Sequence, residues 1–148
     1  MPNRRPFDAI GNFNFRVEIE GVTQGPFVTV EFLQSVTRVI ESKNGNDPLI
    51  RKTPGRHHYG NIVMRRVWTG DDSLWIWRKA VTDGRAERKA GSVVILNALS
   101  GESAESEIGR FNFFEAWPCG WRLGPWDGNS DAALIEEVDI AVEKIERG

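Results

Sequence analysis

"NIVMRRVWTGDDSLWIWRKAVT", residues 61–82, changes its hydrophobic period part-way along and so decides the fold class. Over 61–69 the apolar residues alternate, with Ile62, Met64 and Trp68 in one set and Val63 and Val67 in the other. A period of two is the mark of a strand. Past Gly70 the apolar positions Leu74, Trp77 and Val81 recur at helical spacing, and Asp71, Asp72 and Ser73 stand where a helix needs caps. Arg78 and Lys79 fall late enough to favour the helix dipole. The segment therefore predicts one strand followed by one helix over about 72–82. Trp75 and Trp77 lie about 200° apart at ~100° per residue and cannot share a face. Trp77, with Leu74 and Val81, is expected to pack on the body of the fold. Trp75 is expected to turn toward a neighbour or toward the strand and loop segments around it.

Outward from this segment, strand signals dominate. "FNFRVEIE", 13–20, alternates strictly, with Phe13, Phe15, Val17 and Ile19 on one side. After the turn residues 21–26, "FVTVEFLQSVTRVIESK", 27–43, alternates again and bends near Gln34 and Ser35. Val28, Val30 and Phe32 are expected to face the core, and Thr29 and Glu31 a wet surface. Residues 44–60, rich in glycine, proline and basic groups, show almost no periodicity and read as a long loop. "SVVILNAL", 92–99, reads as a buried strand, "EIGRFNFFEAW", 107–117, as another, and 118–131 as a turn-rich connector. "LIEEVDIAVEKIER", 134–147, alternates Val138, Ile140 and Val142 with Glu137, Asp139 and Glu143, which favours strand over helix. The expected fold is mainly β (α+β): an antiparallel barrel or sandwich of about seven strands with one flanking helix. The 148 residues suit a single domain, with 1–12 as an N-terminal arm and 44–60 as a long loop reaching other subunits.

Composition narrows the function. The formal net charge is -2 with signs interspersed, so no basic footprint for nucleic acid or for anionic lipid stands out. The N-terminus has two arginines but no continuous apolar stretch, so no secretory signal is read there. Catalysis and cofactor binding find no foothold. His57 and His58 are adjacent and in an extended segment point to opposite faces, with no Cys, Asp or Glu at ligand spacing. Asp71 and Asp72 are accounted for by capping, and Cys119 has no partner base in the sequence. No enzyme, metal or cofactor is expected.

Within 25–81 four groups follow in order: Val39, Ile40 and Glu41; Lys52, Pro54, Gly55 and Tyr59; Asn61, Ile62 and Arg66; and Leu74, Trp75 and Trp77. This motif order resembles that of the tail tube proteins of contractile phages and phage-tail-like contractile injection systems. Downstream, "FNFFEAWPCGWRLGP", 111–125, is similar to the family's Trp-rich segment and "ALIEEVDIAVEKIER" to its closing strand. Departures are Phe111 where tryptophan is common, Cys119 where a polar residue is usual, and the ending "VEKIER".

The resemblance implies a subunit of an inner tube: hexameric rings stacked inside a sheath, with DNA or effector protein as lumen cargo. It implies sheath, baseplate or tube-initiator, and tube-terminator proteins as partners, no direct lipid binding, and a place in an assembled phage or extracellular particle after synthesis in the cytoplasm. A tube-initiator or type VI-secretion-like ring protein would share this architecture; a monomeric ligand-binding barrel is the alternative from another class. Within the tube reading, Pro48, Arg51, Lys52, Pro54, Arg56, Tyr59 and Trp75 are the candidate contacts between subunits or rings. Thr29 and Glu31 are the candidate lumen-facing residues.

Overall fold

The computed structural model describes residues 9–22, 27–96 and 107–148. Among the described residues nine strands and one helix run in the order β1 (Phe15–Ile19), β2 (Phe27–Val30), β3 (Ser35–Ser42), β4 (Arg51–Tyr59), β5 (Ile62–Val67), α1 (Ser73–Thr82), β6 (Lys89–Leu96), β7 (Glu107–Gly124), β8 (Ile135–Ala141) and β9 (Lys144–Arg147). Seven strands form one antiparallel sheet in the order β1-β6-β7-β8-β5-β2, with β9 added on β7, and β3 and β4 pair apart from it. The sheet is not closed: β1 and β2 remain as edges. The mainly β, antiparallel fold with a single helix is the one expected; its seven-stranded sheet stays open, and the β3–β4 hairpin stands beside it.

The alternation read from the sequence sets the inner face. Val17 and Ile19 of β1, Ile62 and Met64 of β5, Phe113 of β7, and Val138 and Ile140 of β8 are buried together. Helix α1 adds Leu74 and Trp77 to the same cluster. β7 is long enough to serve both halves of the sheet, pairing β6 and β9 through its first part and β8 through its second. Between the halves Glu115 takes a left-handed backbone, φ 54, where the strand turns its direction. At Gly91 the chains close in: an added Cβ would lie 2.6 Å from the Glu18 carbonyl oxygen, so only glycine fits without displacement.

Four expectations require correction. Residues 44–60 are not a long loop, because Arg51–Tyr59 is strand β4, paired along its length with β3. Both faces of β4 are largely exposed, so no burial pattern marked it. Residues 118–124, read as connector, complete β7; Pro118 lacks an N–H but sits beside a register shift between Pro118 and Gly120, where a strand tolerates proline. Val28 and Phe32 do not face the core. A register shift between Phe27 and Thr29 turns Phe27 and Val30 inward instead, and the strand ends before Phe32, which is 88% exposed. Phe13 also stands outside the core, at 75% exposure, because β1 begins only at Phe15. The strand read over 92–99 is β6, whose last expected residues, 97–99, lie outside the described residues, as do 1–8 of the expected arm.

The helix start is held differently from a simple N-cap. Asp72 occupies the cap position without a side-chain bond, whereas Asp71 Oδ1 accepts from the Ser73 N–H at 3.0 Å. Asp71 Oδ2 also lies 3.4 Å from Arg66 Nη1. Arg66 is itself buried in the inner face, where its Nε donates to Glu136 Oε1 at 2.7 Å. The second carboxylate oxygen of Glu136 accepts from Trp121 Nε1 at 2.9 Å. A buried ion pair thus joins β5, β7 and β8 to the start of α1, with its hydrogen-bonding capacity taken up by partners.

Candidate assembly interface

The expected contact and lumen-facing residues fall on three surfaces: the hairpin, the exposed side of the helix and the outer face of the sheet.

The hairpin β3–β4 is stabilised by its backbone ladder and its turn. Asp47 organises the turn, accepting from the Leu49 N–H at 3.0 Å and pairing with Arg51 Nε at 3.0 Å. Along the hairpin Arg38, Lys43, Arg51, Lys52 and Arg56 outnumber Glu41 and Asp47, although the whole chain is acidic. Val39, Ile40, Leu49 and Ile50 are exposed along it. The expected contact residues Pro48, Arg51, Lys52, Pro54 and Arg56 are all exposed on this arm. Tyr59 lies at its base, partly buried against the core. Thr37 and His57 meet across the hairpin at 2.8 Å, His57 and His58 alternating along β4. Among the described residues no group of three or more His, Cys, Asp or Glu could hold a metal ion.

On α1, Trp77 is buried and donates from Nε1 to the Glu87 carbonyl at 2.7 Å. Trp75 takes the other side, 42% exposed, with its ring 4.8 Å from that of Trp121 and tilted by 51°. Ile76 beside it is exposed as well. Trp121 itself packs against the core cluster, so the aromatic pair bridges α1 to β7 with Trp75 left partly exposed, and Arg78 Nη1 ties the same two elements through the Pro118 carbonyl at 3.1 Å. An aromatic pair of this kind contributes about 0.5–1.5 kcal/mol. Trp75→Ala is expected to cost the subunit about 1 kcal/mol in urea unfolding while reducing assembly, read by sedimentation, by a larger factor. Equal losses in both would defeat an outward role for Trp75.

On the outer face of the sheet, Thr29, Arg65, Glu137 and Arg122 stand opposite one another in register across β2, β5, β8 and β7. Arg65 Nη1 bonds Glu31 Oε1 and its Nη2 bonds Glu137 Oε1, both at 2.9 Å. Glu137 Oε2 pairs with Arg122 Nη1 at 3.2 Å. The hydrogen bond that Arg65 donates to the Glu31 carboxylate pushes the Arg65 pKa up from its ordinary value. The expected lumen residues Thr29 and Glu31 are therefore exposed on one face as parts of a row of alternating charge. Sequence reading missed all three partners: Arg65 and Glu137 showed only as the polar half of two alternating strands, and Arg122 lay in the segment read as connector.

Cys119 donates to the Asp139 carbonyl at 3.3 Å. Burial, then the Asp139 charge, push its thiol pKa above the ordinary value. The thiolate is the reactive form. Alkylation by iodoacetamide at neutral pH is thus expected to be slower than for free cysteine and to accelerate as pH rises; a free-cysteine rate at pH 7 would contradict this.

The model of the family described as T4-like virus tail tube protein gp19 matches residues 11–146. The chain belongs to this tail tube family. The match covers the sheet, the hairpin and the helix together and agrees with the resemblance read from the motifs. The tail tube fold is also that of a chain in the extracellular contractile injection system, PVC sheath–tube complex in extended state, with a TM-score of 0.82 at 20% identity over 97% of this chain and 93% of that one. A chain of the six-fold symmetrised anti-feeding prophage baseplate gives 0.78 at 16% identity over 99% and 97%. Hcp1 from Flavobacterium johnsoniae gives 0.60 at 21% identity over 92% and 95%. No curated protein matches the chain.

Proposed function

We propose that this tail tube protein is the repeating subunit of the inner tube of a contractile tail or contractile injection particle, forming hexameric rings that stack inside a sheath and conduct DNA or effector protein. The observation that carries this reading is the family match across residues 11–146, which takes in the sheet, the hairpin and the helix together. The open sheet supports it: β1 and β2 end as edges with unpaired backbone, and closure by neighbouring copies satisfies such edges without aggregation. The filled interior, with Trp77, Phe113, Met64 and Ile62 fully buried, argues against a barrel that holds a ligand. Sheath, baseplate and tube-terminator proteins are the partners such a tube requires, and the particle is its site of action. The family is one of structural tube proteins, and the chain acts by assembly rather than catalysis.

Within this reading the basic hairpin is the clamp to a neighbouring subunit or ring. A cationic arm on an acidic chain favours docking onto an acidic surface of another copy. Arg51→Glu with Lys52→Glu is expected to abolish or shorten the tubes seen by negative-stain electron microscopy, with subunit circular dichroism unchanged. Lys52→Glu alone, which spares the Asp47–Arg51 pair, is expected to weaken them in the same direction. Tubes of normal length and number from the double variant would remove the clamp. Rings or filaments from the unmodified chain are expected by the same imaging; a monomer at all concentrations would overturn the tube.

A further inference from the structure

We infer that the row Thr29–Arg65–Glu137–Arg122, with Glu31, is a rung of the lumen wall, and that Glu31 and Glu137 hold its arginines so that polyanionic cargo passes without being retained. The inference rests on the tube reading and assigns a surface and a chemistry within it.

The arrangement is specific. The row crosses four strands at one register, from β2 at the sheet edge to the second part of β7, where β8 is the only strand paired with it among the described residues. Its arginines are both engaged by carboxylates: Arg65 between Glu31 and Glu137, Arg122 with Glu137. Glu137 is the hinge of the row, bonding one arginine through each oxygen while its side chain is only 18% exposed. Arg122, at 82%, is held by that carboxylate while otherwise open to solvent. Beside them a cleft of about 480 Å³ is lined by Arg65, Arg122, Trp126 and Ile135. A guanidinium next to an exposed indole is the combination that grips a phosphate and stacks a base. The carboxylates withhold that grip, because an arginine already paired releases little on meeting a phosphate.

The test uses assembled tubes. With Cys119 replaced by serine, Arg122→Cys is expected to react with a bulky polyethylene-glycol maleimide in free subunits. In tubes it is expected to be protected from that reagent yet reactive with N-ethylmaleimide, which enters the bore. Equal reaction of the bulky reagent with tubes and subunits would place the row outside and overturn the assignment. Glu137→Gln tubes are then expected to retain a short single-stranded DNA roughly tenfold more tightly than unmodified tubes at low salt, with the gain lost at high salt. Glu31→Gln, at a more exposed carboxylate, is expected to act in the same direction should Glu137→Gln disturb folding. Adding Arg122→Gln to Glu137→Gln should return retention toward the unmodified level. Retention unchanged in both glutamine variants would overturn the role of the carboxylates while leaving the tube standing. Absence of tubes from the unmodified chain would overturn the tube reading and this inference together.

Discussion

Replacing Glu136 by alanine is expected to destabilise the subunit by about 3–5 kcal/mol, because it strands the Arg66 guanidinium in the inner face without its carboxylate. The Glu136 side chain is fully buried and that of Arg66 nearly so. Arg66 would keep only the longer bonds to Asp71, its Nη1 reaching the carboxylate and its Nη2 the carbonyl oxygen, each at 3.4 Å. Trp121 Nε1 would lose its acceptor at the same time. The paired replacement Arg66→Met with Glu136→Leu is expected to cost far less, since two charges leave the interior together. Urea unfolding of unassembled subunits measures both. A single Glu136→Ala that costs under about 1 kcal/mol would show that water reaches the pair and that the pair does not lock α1 to the sheet.

Trp77→Ala is expected to be comparably damaging, about 3–5 kcal/mol, with the thermal midpoint lowered by roughly 10 °C. The indole is buried at 2% exposure between α1 and the sheet. Its removal leaves a cavity in the core cluster where α1 meets the sheet, and it leaves the Glu87 carbonyl without its Trp77 donor. Trp77→Phe, which restores most of the volume but not the hydrogen bond, should recover the larger share. A full loss in both variants would put the weight on the Glu87 bond; recovery by phenylalanine puts it on packing. Trp75→Ala in the same assay is the contrast, since it removes a half-exposed ring from a single aromatic contact.

Both predictions concern residues whose importance was unequally visible in the sequence. Trp77 was legible, because Leu74, Trp77 and Val81 at helical spacing mark an inward stripe; Leu74 and Trp77 are buried in it, while Val81, expected to pack with them, is only partly buried and lies outside the core cluster. The alternation of β1, β5 and β8 was legible for the same reason: a period of two exposes its inner set in the local chain. Glu136 and Arg66 were not legible as a pair. They lie 70 positions apart, and each breaks the apolar pattern of its own strand rather than reinforcing it.

The chain thus determined by itself the strand-dominated class with its one helix, the two-sided tryptophans of that helix, and the motif order that marks a tail tube protein. Tertiary structure alone decided the rest. β4 is a strand because β3 offers it a backbone ladder, not because burial patterned it, and 118–124 remain in β7 because β8 pairs with them across Pro118. The charged row on the outer face exists only once β2, β5, β8 and β7 lie side by side in one register. Periodicity is a local record of which side of an element is buried, so it reveals faces; pairing, register and ion partners depend on residues distant in the chain, and only the folded sheet brings them together.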